Sequence, residues 1–301
     1  MDMSEIARLR HDEPMSKHVS WRAGGRARIF FQPRDVEDLC VFLRDLDPAL
    51  PVLFVGLGSN LLVRDGGFPG AVVFTHHALV GIGDVQPRDP GFSVRAGAGV
   101  PAPHLARFVA KQGGAGAEWM AGVPGTVGGA LAMNAGCYGG ETWNHVVQVE
   151  TVDRAGRLHV RAPSDYEVGY RHVRLMSDAN EWFIAARFAF APGDEKIAMA
   201  RMRELLAKRV ATQPLNQPNA GSVFRNPEGD HAARLIESCG LKGTTVGGAQ
   251  VSPRHANFIV NVGGASAADI ESLIDRVHAT VATKTGVDLV REVRIVGEAA
   301  A

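Results

Sequence analysis

The sequence predicts an α+β fold, with a strand-rich first part over residues 1–195 and a smaller α/β unit over residues 196–301. Three observations predict it. Short apolar or alternating runs bounded by glycine recur through the first part, as strands separated by tight turns do. Composition shifts at Pro192-Gly193-Asp194, a breaker cluster suited to a domain boundary. Beyond it, apolar residues repeat at helical spacing around only a few strand-like runs. A chain of 301 residues, at roughly 100–200 per domain, also points to two or three cores rather than one.

The elements follow in order. Ala27–Phe31, Val52–Val55, Leu61–Val63, Ala71–Thr75, Phe92–Ala96, Val146–Val152 and Trp182–Phe190 read as strands. Two amphipathic helices cover them. In the first, Val36, Leu39, Cys40 and Leu43 repeat at i, i+3, i+4 and i+7, and the second starts at Pro101, where a missing amide costs a first turn nothing. After the boundary, Ala198, Met202, Leu205 and Leu206 mark a basic helix that ends before the polar stretch from Thr212 to Ala220. Two further helical stripes run through Ala232, Leu235, Ile236 and Cys239, and through Ile270, Leu273, Ile274, Val277 and Val281. Strands are expected at Phe258–Val262 and Leu289–Val296, and on the last of these a period of two puts Glu292 on one face with Val290 and Val296.

Composition excludes several classes of function. Lys plus Arg and Asp plus Glu both number 32, so the balanced charge argues against a protein that coats nucleic acid or an anionic membrane. No apolar run approaches the roughly 18 residues of a membrane span, and the N-terminal stretch lacks the apolar core of a signal peptide. Cys40, Cys137 and Cys239 are an odd number without paired spacing, which fits neither a disulfide framework nor a thiolate zinc site. A cytoplasmic protein with reduced, packed thiols is expected. Eleven histidines include no His-Glu-x-x-His spacing, and His76 and His77 on a strand would face opposite ways, so no metal site is expected.

Glycine stands out, at 35 residues against an average near 7%. Gly56-Leu57-Gly58-Ser59-Asn60 follows a strand, and a turn of this kind gathers amides into a concavity that suits a pyrophosphate. It is no Rossmann fingerprint, because Leu61 begins another strand where that motif opens a helix, and no Gly-Lys-Ser/Thr closes a P-loop. A second loop, Glu118 to Ala130, surrounds Thr126 with Gly122, Pro124, Gly125, Gly128 and Gly129, and runs on into Met133-Asn134-Ala135-Gly136. Glycine at such density points to close approach of the backbone to something large and flat or highly charged.

These two loops, the segment Ala220-Gly221-Ser222-Val223-Phe224-Arg225-Asn226-Pro227 and the terminal Glu292-Val293-Arg294 together resemble the UDP-N-acetylenolpyruvoylglucosamine reductase (MurB) family, from about Ser20 to Gly297. The resemblance implies a two-lobed FAD-binding domain of the vanillyl-alcohol oxidase type, with lobes of about 1–78 and 79–195. The α/β substrate-binding domain would follow. It also implies NADPH-dependent reduction of UDP-N-acetylglucosamine enolpyruvate to UDP-N-acetylmuramate, in peptidoglycan precursor synthesis. Gly56, Gly58, Ser59, Asn60 and Leu61 would contact FAD in the first loop, and Pro124, Gly125, Thr126, Gly128, Gly129 and Asn134 in the second. No histidine stands in the first loop, so non-covalent FAD is expected.

The chemistry sets requirements for the protein. A double bond conjugated to a carboxylate takes a hydride at C3 and a proton at C2, and the developing enolate needs fixed cationic or hydrogen-bonding partners. By resemblance, Arg171 is the catalytic arginine, Ser222 the proton donor to C2 and Glu292 the second polar group at the substrate carboxylate. An arginine fork suits that carboxylate, and a positioned hydroxyl can quench a strongly basic enolate. His172 and Val173 replace the family's usual residues after Tyr170-Arg171, which puts the hydrogen bonding around Arg171 in question. Arg225 and Asn226 are expected to contact substrate, and Lys208, Arg209 and Gln213 its diphosphate. The short span from Tyr170 to Trp182 resembles the branch of the family without an extra tyrosine-bearing loop. A monomer or weak oligomer is expected. Two other readings are an oxidoreductase of another substrate on the same flavin-binding fold, and a nucleotide-sugar-binding module without chemistry.

Overall fold

Residues 8–300 are described in the computed structural model of the chain, so the start of the N-terminal stretch read above for targeting signals lies outside the described residues. They fall into two units. The first holds Phe31–Gly56 and Val72–Arg209 with the described residues up to Leu9, and the second holds Arg10–Phe30, Leu57–Ala71 and the chain from Val210 onward.

At the centre of the first unit is an antiparallel sheet in the order Leu158–Arg161, Val146–Asp153, Glu181–Pro192, Phe92–Gly97, Ile82–Pro87, and Gly114–Ala115 pairs with the far end of its longest strand. Alternation along that strand buries Ala186, Phe188 and Phe190, which pack with Val94, Leu105, Val109, Trp119 and Leu131. Helix Ala102–Lys111 supplies Leu105 and Val109, and Pro101 stands one place earlier than expected, as the cap rather than the first helical residue. Helix Val36–Asp45 is capped by Asp35, whose side chain accepts from the Asp38 amide, and it buries Leu39 and Leu43 against Val73, Val152 and Ile184. Each of these leucines, wholly buried, contributes about 1.5–3 kcal/mol.

Three parts of this unit differ from the sequence reading. Packing divides the chain non-contiguously, where the sequence suggests one cut near residue 195. Most of helix Glu195–Thr212 belongs with the preceding sheet because Ala198 and Met202 join the core around Trp119. The glycine loop contains a short helix, Val127–Met133, that the sequence did not announce. His76 and His77 lie beyond the strand Phe68–Phe74, and with φ of +65° at His77 their rings come within 3.8 Å instead of facing opposite ways.

The second unit is organised by helix Ala267–Thr285. Ser266 and Asp269 form a capping box at its start, the Asp65 carboxylate accepts from the amides of Ala267 and Ala268, and Gly286 ends it in the left-handed region. Its buried stripe of Ile270, Leu273, Ile274, Val277 and Val281 packs with Trp21, Phe224, Leu235, Ile236 and Ile259. Thr245–Val246, Ala249–Val251 and Ile259–Asn261 form a three-stranded antiparallel sheet, and Leu61–Val63 runs parallel to Arg294–Val296. The expected strand Leu289–Val296 is therefore broken. Its first half bonds to residues 223–225 while only Arg294–Val296 pairs with Leu61–Val63, and Val290 is exposed while Val293 is buried. A single alternating face shared by Val290, Glu292 and Val296 does not exist. No helix among the described residues is long and apolar enough to cross a membrane.

Candidate active site

Arg171 sits in the turn of a β-hairpin, Tyr166–Gly169 with His172–Leu175, where Gly169 pairs with His172. Its φ of +55° is a left-handed conformation that costs a non-glycine residue energy and points to a site where geometry is being imposed. The guanidinium is seated on two main-chain carbonyls: Nη1 donates to Asn134 O at 3.2 Å and Nη2 to Gly136 O at 2.7 Å. The replacement of the residues after Arg171 is thus accommodated. His172 faces Glu167 at 3.9 Å on the exposed side, Val173 packs on the core, and the orientation of Arg171 comes from the 134–136 turn.

That turn continues into Cys137-Tyr138, and helix Glu195–Thr212 ends beside it. The Tyr138 hydroxyl donates to Leu205 O at 3.2 Å, and Lys208 Nζ lies 5.9 Å from the Tyr138 ring centre. Burial lowers the pKa of Arg209 from its ordinary value. It pushes the Cys137 thiol up to about 11, against the pull of Arg209 and Arg171, so both arginines act on the same turn. Cys137 is a packed neutral thiol, donating to Trp119 O at 3.2 Å. With so little thiolate, iodoacetamide at pH 8 should modify it about a hundredfold more slowly than an ordinary cysteine, as peptide mass mapping would show.

The glycine loop in the same unit is tied down from within. Val127 and Gly128 donate their amides to Val100 O and Ala98 O, and a Cβ on Gly128 would lie 2.9 Å from that of Ala98. Gly128 is consequently a packing glycine. Beside it, Thr126 is only 1% exposed, yet its hydroxyl makes no hydrogen bond among the described residues. A Cβ on Gly56 would sit 2.2 Å from that oxygen. A buried hydroxyl without a partner, approached by a bare backbone, fits the polar edge of a cofactor, and on this ground Gly56, Pro124, Gly125, Thr126 and Gly129 suit FAD. The Asn134 side chain is engaged elsewhere: Nδ2 donates to Glu141 and to Gly169 O, and Oδ1 accepts from the Trp143 amide.

In the second unit, Gly58 has φ of +60°, and a Cβ there would meet His18 O at 2.2 Å. Gly58→Ala should cost about 1–3 kcal/mol in urea unfolding, since both conformation and space oppose it. Ser20 donates through its amide to Gly58 O, and Asn60 Nδ2 donates to Glu292 O at 3.2 Å while Asn60 O accepts from Arg294 N. Asn60 thereby latches the segment that carries Glu292. Ser59 is half-buried, and Leu61 is buried where it begins its strand.

Ser222 is half-buried and follows Gly221, whose φ is +74° and whose amide donates to Asn219 Oδ1. Asn257 holds the next two residues. Its carbonyl accepts from Val223 N, its Oδ1 from Phe224 N, and its Nδ2 donates to Phe224 O. Val223 O in turn receives the amide of Glu292 at 2.8 Å, and Arg225 N donates to Val290 O. Asn226 Oδ1 accepts from Ala232 N at the start of helix Ala232–Ser238, while Arg225 Nε is buried with no hydrogen-bond partner among the described residues. Gln213 lies in the turn after the long helix, its carbonyl accepting from Leu215 N.

Of the residues expected from the sequence, Arg171, Asn134 and Arg209 converge on one turn of the first unit, and Asn60, Ser222 and Glu292 on one pair of segments in the second. Asn257 is not among the residues expected from the sequence. Its signal was present, because an amide inside the apolar run Ala256 to Val260 must find hydrogen bonds once buried.

Comparison with known proteins finds two families along the chain. Residues 27–161 match the FAD binding domain family, and residues 213–296 match the family of the UDP-N-acetylenolpyruvoylglucosamine reductase C-terminal domain. The chain is 57% identical to the UDP-N-acetylenolpyruvoylglucosamine reductase of Methylococcus capsulatus, over 96% of this chain and 93% of that one. It is 53% identical to that of Nitrosospira multiformis, over 99% and 94%. The crystal structure of the reductase (MurB) from Thermus caldophilus superposes with a TM-score of 0.79 at 31% identity, covering 95% of this chain and 99% of that one. With near-complete coverage and such identity, the chain belongs to the UDP-N-acetylenolpyruvoylglucosamine reductase family.

Proposed function

We propose that Arg171, Ser222 and Glu292 carry the protein's part of the reaction established by the family, the FAD-dependent reduction of UDP-N-acetylglucosamine enolpyruvate in peptidoglycan precursor synthesis. When bound, FAD supplies the hydride that NADPH provides to the enolpyruvyl double bond. Arg171 binds the substrate carboxylate through its fork and stabilises the negative charge that appears there as C3 gains the hydride. Ser222 gives its hydroxyl proton to C2, which converts the enolate into the lactyl ether, and Glu292 polarises the carboxylate end. Arg209 and Lys208, at the end of their helix, meet the diphosphate with Gln213. Arg225, whose buried Nε has no partner among the described residues, and Asn226 contact the sugar nucleotide.

The observation that best supports this reading is the pairing of residues 223–225 with 290–292, which puts Ser222 next to the carbonyl that receives the Glu292 amide. A hydroxyl and a carboxylate on adjacent, mutually bonded segments suit one reacting group better than a surface. Functionally, residues 1–195 hold the cofactor in lobes of about 1–78 and 79–195 and contribute Arg171 to the substrate carboxylate, and residues 196–301 form the substrate-binding domain. The enzyme works in the cytoplasm as a monomer or weak oligomer. Steady-state kinetics on the purified protein tests the reading. It should carry visible flavin absorbance and oxidise NADPH only when the UDP-sugar is added, whereas a colourless protein that binds the sugar without turnover would make it a binding module.

A further inference from the structure

We propose that Asn134 is a positioning residue for Arg171 rather than a contact of the cofactor, a proposal that rests on the reading of Arg171 as the anchor of the substrate carboxylate. Asn134 reaches Arg171 by two routes. Its backbone ends helix Val127–Met133 with φ of +40°, a left-handed conformation that asparagine tolerates better than most residues, and its carbonyl accepts from Arg171 Nη1. Its side chain donates from Nδ2 to Gly169 O at 3.1 Å, and Gly169 closes the turn in which Arg171 stands. One residue therefore grips both the hairpin backbone and the guanidinium at its tip.

Neither amide hydrogen of the side chain is left for a cofactor, and the group is buried. Asn134 is 2% exposed, its second Nδ2 hydrogen goes to Glu141 Oε2 at 3.0 Å, and its Oδ1 takes the Trp143 amide at 3.1 Å. A hairpin tip is otherwise one of the most mobile places to put a catalytic group, and a left-handed arginine has little intrinsic reason to hold its conformation. The double tie overcomes both, so loosening it should misplace the fork without touching FAD.

Asn134→Gly keeps the left-handed backbone and the carbonyl while removing every side-chain tie. The expected result is FAD affinity and NADPH-driven flavin reduction within about twofold of wild type. Weaker calorimetric binding of the UDP-sugar to the oxidised protein is expected too, with substrate-driven reoxidation slowed about tenfold or more. The loss should also fail to add to that of Arg171→Ala, since both act through one guanidinium. Asn134→Asp is the second variant. It puts an acceptor beside Glu141 and Gly169 O with the Arg171 guanidinium close by, so its reoxidation rate should recover as pH falls and its carboxyl regains a proton. Loss of FAD by both variants, additivity with Arg171→Ala, or wild-type reoxidation in Asn134→Gly would overturn the proposal. If Arg171→Ala itself reoxidised normally, the fault would lie with the reading of Arg171; if only Asn134→Gly were unaffected, with the proposal alone.

Discussion

Ser222→Ala is expected to leave NADPH-driven reduction of the flavin near wild type while slowing its reoxidation by substrate about 10²–10⁴-fold, the span typical of a lost general acid. The reason is stoichiometric. Only the second half-reaction places a proton on carbon, and Ser222 is the hydroxyl assigned to supply it. The variant should fold normally because the segment is fixed from outside the side chain, by the left-handed Gly221 before it and the Asn257 clamp after it. Stopped-flow absorbance separates the two halves, and an equal loss in both would remove Ser222 from the proton step.

Arg171→Lys should be nearly as damaging, with substrate-driven reoxidation reduced about 10²–10³-fold, comparable to removing an oxyanion donor. Lysine keeps the charge but not the planar fork. The arginine spans Asn134 O and Gly136 O with two nitrogens and so presents its plane in one orientation; an ammonium on a flexible stem can satisfy one of those carbonyls at a time. Flavin reduction by NADPH is expected to stay intact. A fully active Arg171→Lys would move the carboxylate-binding site elsewhere.

How much of this was legible depends on whether the information was local. The helix through Leu39 and Leu43, the strand Val52–Val55 and the helix from Ala267 carry their own periodicity and caps, and they stand within a few residues of where the sequence puts them. Helix Val127–Met133 was not legible, since Gly128 and Gly129 oppose helix formation and the first turn is held by carbonyls of Ala98 and Val100, in the turn that follows strand Phe92–Gly97. The break in the last strand escaped for a related reason. Alternation along Leu289 to Val296 cannot reveal that two different partners, residues 223–225 and Leu61–Val63, claim its halves.

The candidate site divides in the same way. Resemblance to the family singled out Arg171, Ser222 and Glu292, whereas the groups that orient them, Asn134, Asn257 and Asn60, act through bonds spanning from 33 to 232 residues of sequence. Thr126 lies in between. Its place among glycines marked it in the sequence, and its buried unpartnered hydroxyl gives the physical basis for a polar ligand.

The most direct test of the account is a single turnover. The protein is reduced with one equivalent of NADPH and mixed with UDP-N-acetylglucosamine enolpyruvate in the absence of oxygen. Oxidised flavin absorbance should return, with an equal amount of UDP-N-acetylmuramate formed. Flavin that stays reduced, with the enolpyruvyl ether recovered unchanged, would contradict the account.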